Sequence, residues 1–205
     1  GIDIREENDG QGEDQESHEP GRFQVLLPTP NGGKDSDSVS YSLVLDRYVA
    51  SLSNEKRMPD ILALYSNEIK KYPQEQGLYE QLLQWLGQTN LVEEQLRVYQ
   101  EAINRFKTNL WTDRLARWYL RRERKSEFER FSRDLIEKMN DGEIETWFAK
   151  FVNSGAGVGA SEFNANLYLS LYARAHERFP HNLSFVEGLL NYYAARNRWD
   201  DWRRL

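Results

Sequence analysis

A dense group of arginines is the part of this sequence best suited to recognition chemistry. Arg121, Arg122 and Arg124 lie close together, and Arg117 and Arg114 precede Arg121 by about one and two turns of a helix. In a helix, Arg117, Arg121 and Arg124 share one face. Because guanidinium groups bind carboxylates and phosphates through paired N–H donors, this face is a candidate binding surface.

Several interpretations of this basic segment remain open. Trp118 and Tyr119 lie beside the arginines, which is compatible with contact to RNA or to an acidic peptide. Glu123, Glu127 and Glu129 balance the positive charge, which is typical of an ordinary solvated helix face. An acidic ligand is also encoded in the same chain, since residues 1–20 contain eight acids and one arginine and carry a charge of −7.

No residue set has the spacing expected of a catalytic, metal or cofactor site. The chain has no cysteine and three histidines, His18, His176 and His181, of which the last two are separated by Pro180 and cannot share a helix face. The glycines of residues 155–159 lack the preceding strand and the following lysine of a phosphate-binding loop, so they predict a flexible connection between helices. We therefore predict no catalytic residues, no metal and no cofactor, and a protein that is not an enzyme.

Composition predicts a soluble protein that does not insert into a membrane. Of 205 residues, 39% are hydrophobic and 29% are charged, and no apolar run approaches the ~18 residues that span a bilayer. The localisation stays open, with a slight preference for the cytoplasm. Of the net charge of −6, the first 20 residues supply −7 and the rest of the chain +1, so the body is near neutrality and nucleic acid is an unfavoured partner.

The chain divides into a lead-in, residues 1–40, and a helical domain, residues 41–205. Residues 1–21 hold too few apolar side chains to offset their conformational entropy, and residues 29–40 are rich in Gly, Pro and Ser, so we predict a disordered acidic segment and a linker. An alternative is that the apolar residues of 22–28 pack against the helices as an arm.

From residue 41 onward, apolar residues recur every three or four positions, as in amphipathic helices. The stripes are Leu45, Tyr48, Val49, Leu52; Ile61, Leu62, Tyr65, Ile69; Leu82, Leu83, Leu86; and Leu96, Tyr99, Ile103, Phe106. Each helix is too short to be stable alone, so each must pack on its neighbours. Four tryptophans on or beside the stripes are predicted to pack between helices: Trp85, Trp111, Trp118 and Trp147.

Local signals predict where these helices begin and end. Pro59 suits a first helical position, and Pro73 and Pro180 end the helices before them. Asn90 with Glu93, and Ser126 with Glu129, have the spacing of a capping box. Ser161 and Asn182 are predicted single caps.

The helices recur in pairs. A shift of 34 residues places Leu45 on Tyr79, Leu52 on Leu86 and Tyr65 on Tyr99. Further coincidences are Tyr48 with Leu82, Val49 with Leu83, Ile69 with Ile103, and Tyr72 with Phe106. Agreement along two whole helices predicts an internal repeat.

Two helices with a period of 34 residues resemble the tetratricopeptide repeat, whose pattern has large residues on both helices and a closing proline. The first repeat matches at Leu45, Tyr48, Val49, Leu52, Ile61, Tyr65 and Pro73, and the second at Tyr79, Leu82, Leu83, Leu86, Gln95 and Tyr99. The predicted repeats are 42–75, 76–108, 109–140, 141–182 with about eight extra residues, and a truncated 183–205. At positions where the family has Gly or Ala, this sequence has Leu83, Gln95 and Phe148, which predicts wider, irregular hairpins.

The resemblance implies an all-α fold, a right-handed superhelix of antiparallel hairpins, or α-solenoid. It implies a protein-interaction scaffold that binds a peptide or partner protein on its surface. We expect this scaffold to be part of a larger protein, because the sequence begins with Gly1 and ends within a predicted helix. By resemblance, exposed first-helix positions line the binding face: Arg47, Gln81, Gln84, Arg114, Arg117 and Asn191. Arg121 and Arg124 join them from the basic segment. Alternatives are an RNA-binding half-a-TPR-like array and a helical accessory region of an enzyme, and the truncated last repeat is a candidate for self-association.

Overall fold

The computed structural model describes the backbone of residues 34–205 and the side chains of residues 41–205 except Asn54. All regular structure in this part of the chain is helical, which confirms the predicted all-α fold. The helices are α1 Lys34–Asn54, α2 Met58–Lys71, α3 Gln76–Gln88, α4 Val92–Phe106, α5 Asn109–Arg121, α6 Lys125–Lys138, α7 Asp141–Phe151, α8 Glu162–Arg178, α9 Leu183–Ala195 and α10 Trp199–Trp202, with a single 3-10 turn at Asn153–Gly155. Consecutive helices pair as α1–α2, α3–α4, α5–α6, α7–α8 and α9–α10, at positions close to the predicted repeats.

The start of the helical region differs from the prediction. Helix α1 begins at Lys34, so residues 34–40 are helical and do not belong to a linker. This stretch has Asp35, Ser36 and Asp37 near its start, residue types that favour the first turn of a helix. The predictions for residues 1–33 lie outside the described residues. None of the described helices combines the length and apolarity needed to cross a membrane.

The described part of the chain forms two compact units, which divide between Tyr72 and Pro73. In the first, α1 packs on α2. The hydroxyl of Tyr41 donates to the buried carboxylate of Glu68 at 2.8 Å, and the ammonium of Lys71 lies 2.8 Å from its other oxygen. The ring of Tyr72 meets Tyr41 edge to face, with 6.3 Å between centroids. Burial of a carboxylate is costly unless hydrogen bonds replace those lost from water, and these two donors supply that replacement.

The second unit is a succession of helices in which each packs mainly on its neighbours. Contacts run from α3 to α4, α4 to α5, α5 to α6, α6 to α8, α8 to α9 and α9 to α10. Hairpin α7–α8 is the exception, because the backbones of α7 and α8 approach less closely than those of the other pairs and α8 packs chiefly on α6 and α9. Its side chains still meet, with the rings of Phe148 and Tyr172 4.6 Å apart. The four tryptophans predicted to pack between helices are all buried.

Four of the five hairpins share one turn. Each has three residues between its helices, and the middle residue has a left-handed backbone: Lys56, Asn90, Glu123 and Asn197, with φ from 54° to 57°. In each, the next residue donates its N–H to the carbonyl five residues earlier, over 2.9–3.1 Å: Arg57 to Leu52, Leu91 to Leu86, Arg124 to Tyr119, and Arg198 to Tyr193. This is the Schellman arrangement, in which the left-handed residue is usually glycine.

This turn explains why both predicted capping boxes are wrong. Asn90 and Glu123 hold the left-handed positions, and α4 and α6 begin after them without any side-chain cap. Ser126 lies inside α6. A complete capping box occurs instead at Asn140 and Glu143, which the sequence reading missed. The single caps are confirmed at Ser161 and Asn182, as is the helix-starting role of Pro59.

The remaining hairpin, α7–α8, contains the glycine-rich insertion. Gly155 is buried so tightly that a Cβ there would lie 2.0 Å from the carbonyl oxygen of Asn164. Arg196 donates to the carbonyls of Gly155, Ala156 and Gly157 over 2.9–3.2 Å and lies 3.9 Å above the Tyr192 ring. The guanidinium of Arg196, which directly follows α9, therefore holds the insertion against the end of that helix.

Candidate functional site

A groove between α3, α4 and α5 is a concavity of the second unit. Its volume is about 550 Å³, within the range of about 300–1,000 Å³ typical of ligand sites. The lining residues are Glu80, Leu83, Gln84, Gly87, Gln95, Tyr99, Arg114, Arg117, Trp118, Arg121 and Arg122. Four arginines against one acid make its surface strongly positive.

The base of the groove is organised by Gln95, a buried side chain of α4. Its amide nitrogen donates to the Leu83 carbonyl of α3 at 3.1 Å. Its oxygen accepts from the Trp118 indole at 3.1 Å and from the Arg122 guanidinium at 3.1 Å. Gly87 makes room for this amide, since a Cβ there would lie 3.0 Å from it. Gln95 therefore joins three helices, and its amide has a glycine opposite. The wider hairpin stays a prediction.

Two of the lining arginines, Arg114 and Arg122, are already bonded to other side chains of the chain. Arg114 lies 2.6 Å from the carboxylate of Glu80 and stacks over Trp111 at 4.7 Å. Arg122 donates to Asn90 at 2.9 Å as well as to Gln95. These bonds fix the positions of both guanidiniums at the edge of the groove.

The other two, Arg117 and Arg121, are exposed and form no ion pair with any described residue. Arg117 lies 5.7 Å from the Phe151 ring. Burial raises the pKa of Tyr99, and the charges of Arg121, Arg114 and Arg122 act on that pKa in the opposite direction. These three positive charges act on one buried phenol, and among the four lining arginines Arg117 and Arg121 keep donors for a ligand.

Arg124 differs from its predicted role. Its guanidinium bonds Glu127 at 2.8 Å and Glu93 at 3.0 Å and lies 5.5 Å from the Trp118 ring. The hydrogen bond from Arg124 lowers the pKa of Glu127. Arg124 does not line the groove, because the α5–α6 turn directs it to the α4–α6 side. It links helices here, and a partner role for it stays a prediction.

The other predicted residues are distributed over several helices. Gln84 lines the groove, whereas Gln81, half-buried one turn earlier on α3, does not. Arg47 is exposed on α1 and Asn191 is exposed on α9. The groove therefore gathers Gln84, Arg114, Arg117 and Arg121. For the remaining positions, partner binding stays a prediction.

Sequence reasoning did not assign Gln95, Glu80 or Tyr99 to a site, and it included Arg122 only as a member of the basic segment. The one available signal was Gln95, a polar residue at a position on an apolar stripe. Its partners on α3 and α5 are 12 and 23 residues away, so only the packing of three helices brings them together.

The groove has donors and apolar walls but no set of residues suited to bond-breaking chemistry. Trp118 and Tyr99 are only 3% and 7% exposed, so neither offers a face to a stacked base. Among the described residues, no group of three His, Cys, Asp or Glu side chains is placed to hold a metal ion. The arrangement can bind an anionic group through guanidinium N–H donors.

Comparisons with protein-family models, with curated proteins and with solved structures find no match for this chain.

Proposed function

We propose that this chain is a protein-interaction module, related in organisation to tetratricopeptide repeats, that binds a segment of a partner protein in the α3–α5 groove. The observation that carries the proposal is the pair Arg117 and Arg121: both border a groove of about 550 Å³ and neither has an anionic partner among the described residues. Both guanidiniums border a concavity whose base is held by the hydrogen bonds of Gln95.

The surrounding groups support binding of a ligand over catalysis. Gln95, Arg114 and Arg122 are each fixed by hydrogen bonds, so the groove requires little reordering when a ligand binds. RNA is less favoured, because base stacking needs an accessible aromatic face and both rings of the groove are buried.

The test is capture of partners by the full chain and by two charge-reversal variants. In Arg117→Glu plus Arg121→Glu the groove becomes acidic. The matched control is Arg130→Glu plus Lys138→Glu, which makes the same charge change at exposed α6 residues that have no ion pair in the described part of the chain. We expect proteins retained by the wild type and the control to be lost from the groove variant. Equal retention by all three chains contradicts the groove as the binding site.

A further inference from the structure

Resting on the proposed function, we infer the chemistry and register of the ligand: an extended acidic segment that places carboxylates at every second residue against Arg117 and Arg121. The inference combines the free donors of these two arginines with their spacing along α5. A partner of this kind binds through side-chain carboxylates, and its backbone lies along the groove.

Charge complementarity selects the ligand. The groove lining has Arg114, Arg117, Arg121 and Arg122, and its one acid, Glu80, is already 2.6 Å from Arg114. A neutral ligand would leave the guanidiniums of Arg117 and Arg121 partly desolvated and without new partners, which is unfavourable. Carboxylates match the paired donors of arginine, and each such bond is assisted by charge.

Spacing selects the register. Arg117 and Arg121 are four residues apart on α5, so their backbones are separated by about 6 Å along the helix axis. In an extended peptide, alternate side chains on one face are about 6.6 Å apart. Acidic residues at positions i and i+2 of an extended ligand can therefore reach both arginines at once.

A helix, about 10–12 Å wide with its side chains, is the alternative form of ligand. A helical ligand would need acids four residues apart to reach the same two arginines, and this different spacing makes the two forms separable by experiment.

The test uses two twelve-residue peptides of identical composition. One alternates Glu and Ala, and the other repeats Glu-Glu-Ala-Ala. Both have acids four residues apart, but only the alternating peptide has acids two residues apart. Each is labelled with a fluorophore and titrated with the full chain while anisotropy is recorded. We expect the alternating peptide to bind about tenfold more tightly than its isomer, because it makes two charge-assisted contacts on one face. Equal or tighter binding of the isomer would show that acids two residues apart are not required, and it would overturn the register.

Variants and controls identify the groove. In Arg117→Gln plus Arg121→Gln, affinity for the alternating peptide is expected to fall at least about tenfold, whereas Arg130→Gln plus Lys138→Gln leaves it within about twofold. A Gln-Ala peptide of equal length should not bind, and added salt should weaken the acidic one. An oligouridylate that binds more tightly than the peptide and is lost with the same arginines would overturn the ligand class.

The two proposals can fail separately. If groove variants lose partner proteins but all three peptides bind equally, the acidic register is wrong and the interaction module stands. If the alternating peptide binds through Arg117 and Arg121 but partner capture ignores these arginines, the groove has the inferred chemistry and the proposed function is wrong.

Discussion

Gln95 illustrates how one buried polar residue can define a surface. It uses its amide nitrogen and oxygen for Leu83, Trp118 and Arg122, which belong to α3 and α5. A hydrophobic residue at this position would pack the helices but would leave the indole N–H of Trp118 buried without an acceptor. The groove therefore depends on a residue that is itself almost completely buried.

We predict that Gln95→Ala destabilises the second unit by about 2–3 kcal/mol, since it orphans the Trp118 indole and leaves a void beside Gly87. Urea unfolding followed by tryptophan fluorescence measures the change. Gln100→Ala, an exposed position on the same helix, is the control and should shift stability by less than about 0.5 kcal/mol. Equal effects of the two variants would contradict the role given to Gln95.

Buried tyrosines predict how stability responds to alkali. Burial raises the pKa of Tyr65, with a smaller contribution from Asp46, and burial also raises the pKa of Tyr168. The neutral phenol is thus favoured in the folded chain, while the unfolded chain titrates near a pKa of about 10. The stability contribution is complete below about pH 10 and is lost as the pH rises through the folded pKa values.

We therefore expect the free energy of unfolding to fall as the pH rises above about 10, together with the appearance of tyrosinate absorbance. In Tyr65→Phe, the free energy of unfolding of the first unit should fall less at alkaline pH than it does in the wild type. A pH-independent free energy of unfolding over this range would disprove the assignment.

At the scale of elements, the shared hairpin turn is the most regular feature of the fold. Its four left-handed positions hold Lys56, Asn90, Glu123 and Asn197, none of which is glycine. For residues other than glycine, this backbone costs roughly 1–2 kcal/mol. The turns are maintained because the flanking helices pack and the Schellman bonds form.

A glycine at one of these positions should therefore stabilise the protein. We predict that Glu123→Gly raises the free energy of unfolding by about 0.5–1 kcal/mol, after allowance for the greater freedom of glycine in the unfolded chain. Asp134→Gly removes the same charge inside α6 and should instead lower it by roughly 0.5 kcal/mol. Thermal unfolding of both variants shows whether each change raises or lowers the stability. A loss of stability with Glu123→Gly would exclude strain at the turn.

The turns also show what the sequence could predict at this scale. Apolar spacing located the hairpins because burial dictates it, and prolines marked helix ends because they lack an N–H. Asn90 was misassigned as a cap, since asparagine suits both a cap and a left-handed turn, and three-residue connections leave room only for the turn. The groove followed only in part: of the predicted helix face, Arg117 and Arg121 line the groove and Arg124 does not, and the bonds of Gln95 depend on three-dimensional packing.

For the whole molecule, packing between neighbours predicts that disturbances stay local within the second unit. Gly188 of α9 faces Tyr172 of α8, and a Cβ there would lie 2.2 Å from the ring. That ring is held against Tyr168 and Phe148, with centroids 4.1 Å and 4.6 Å away, so it has little room to move. Because α8 and α9 do not line the groove, their disturbance should leave the groove intact.

We predict that Gly188→Ala destabilises α8–α9 by about 1–3 kcal/mol through overpacking, with faster amide hydrogen exchange there and unchanged protection in α3 and α4. Gly142→Ala is the control, since its nearest neighbour would be 3.6 Å away. Faster exchange throughout the second unit would show that it unfolds as one cooperative block.

The glycine-rich insertion offers a use of its own. Arg196 secures its base, while Val158 at its tip is 76% exposed and the described residues leave open space around Gly157 and Gly159. Foreign sequence accepted between Val158 and Gly159 would project outward without entering a helix interface. The hairpin that departs most from the common pattern is therefore a natural place to graft an epitope or a fluorescent reporter.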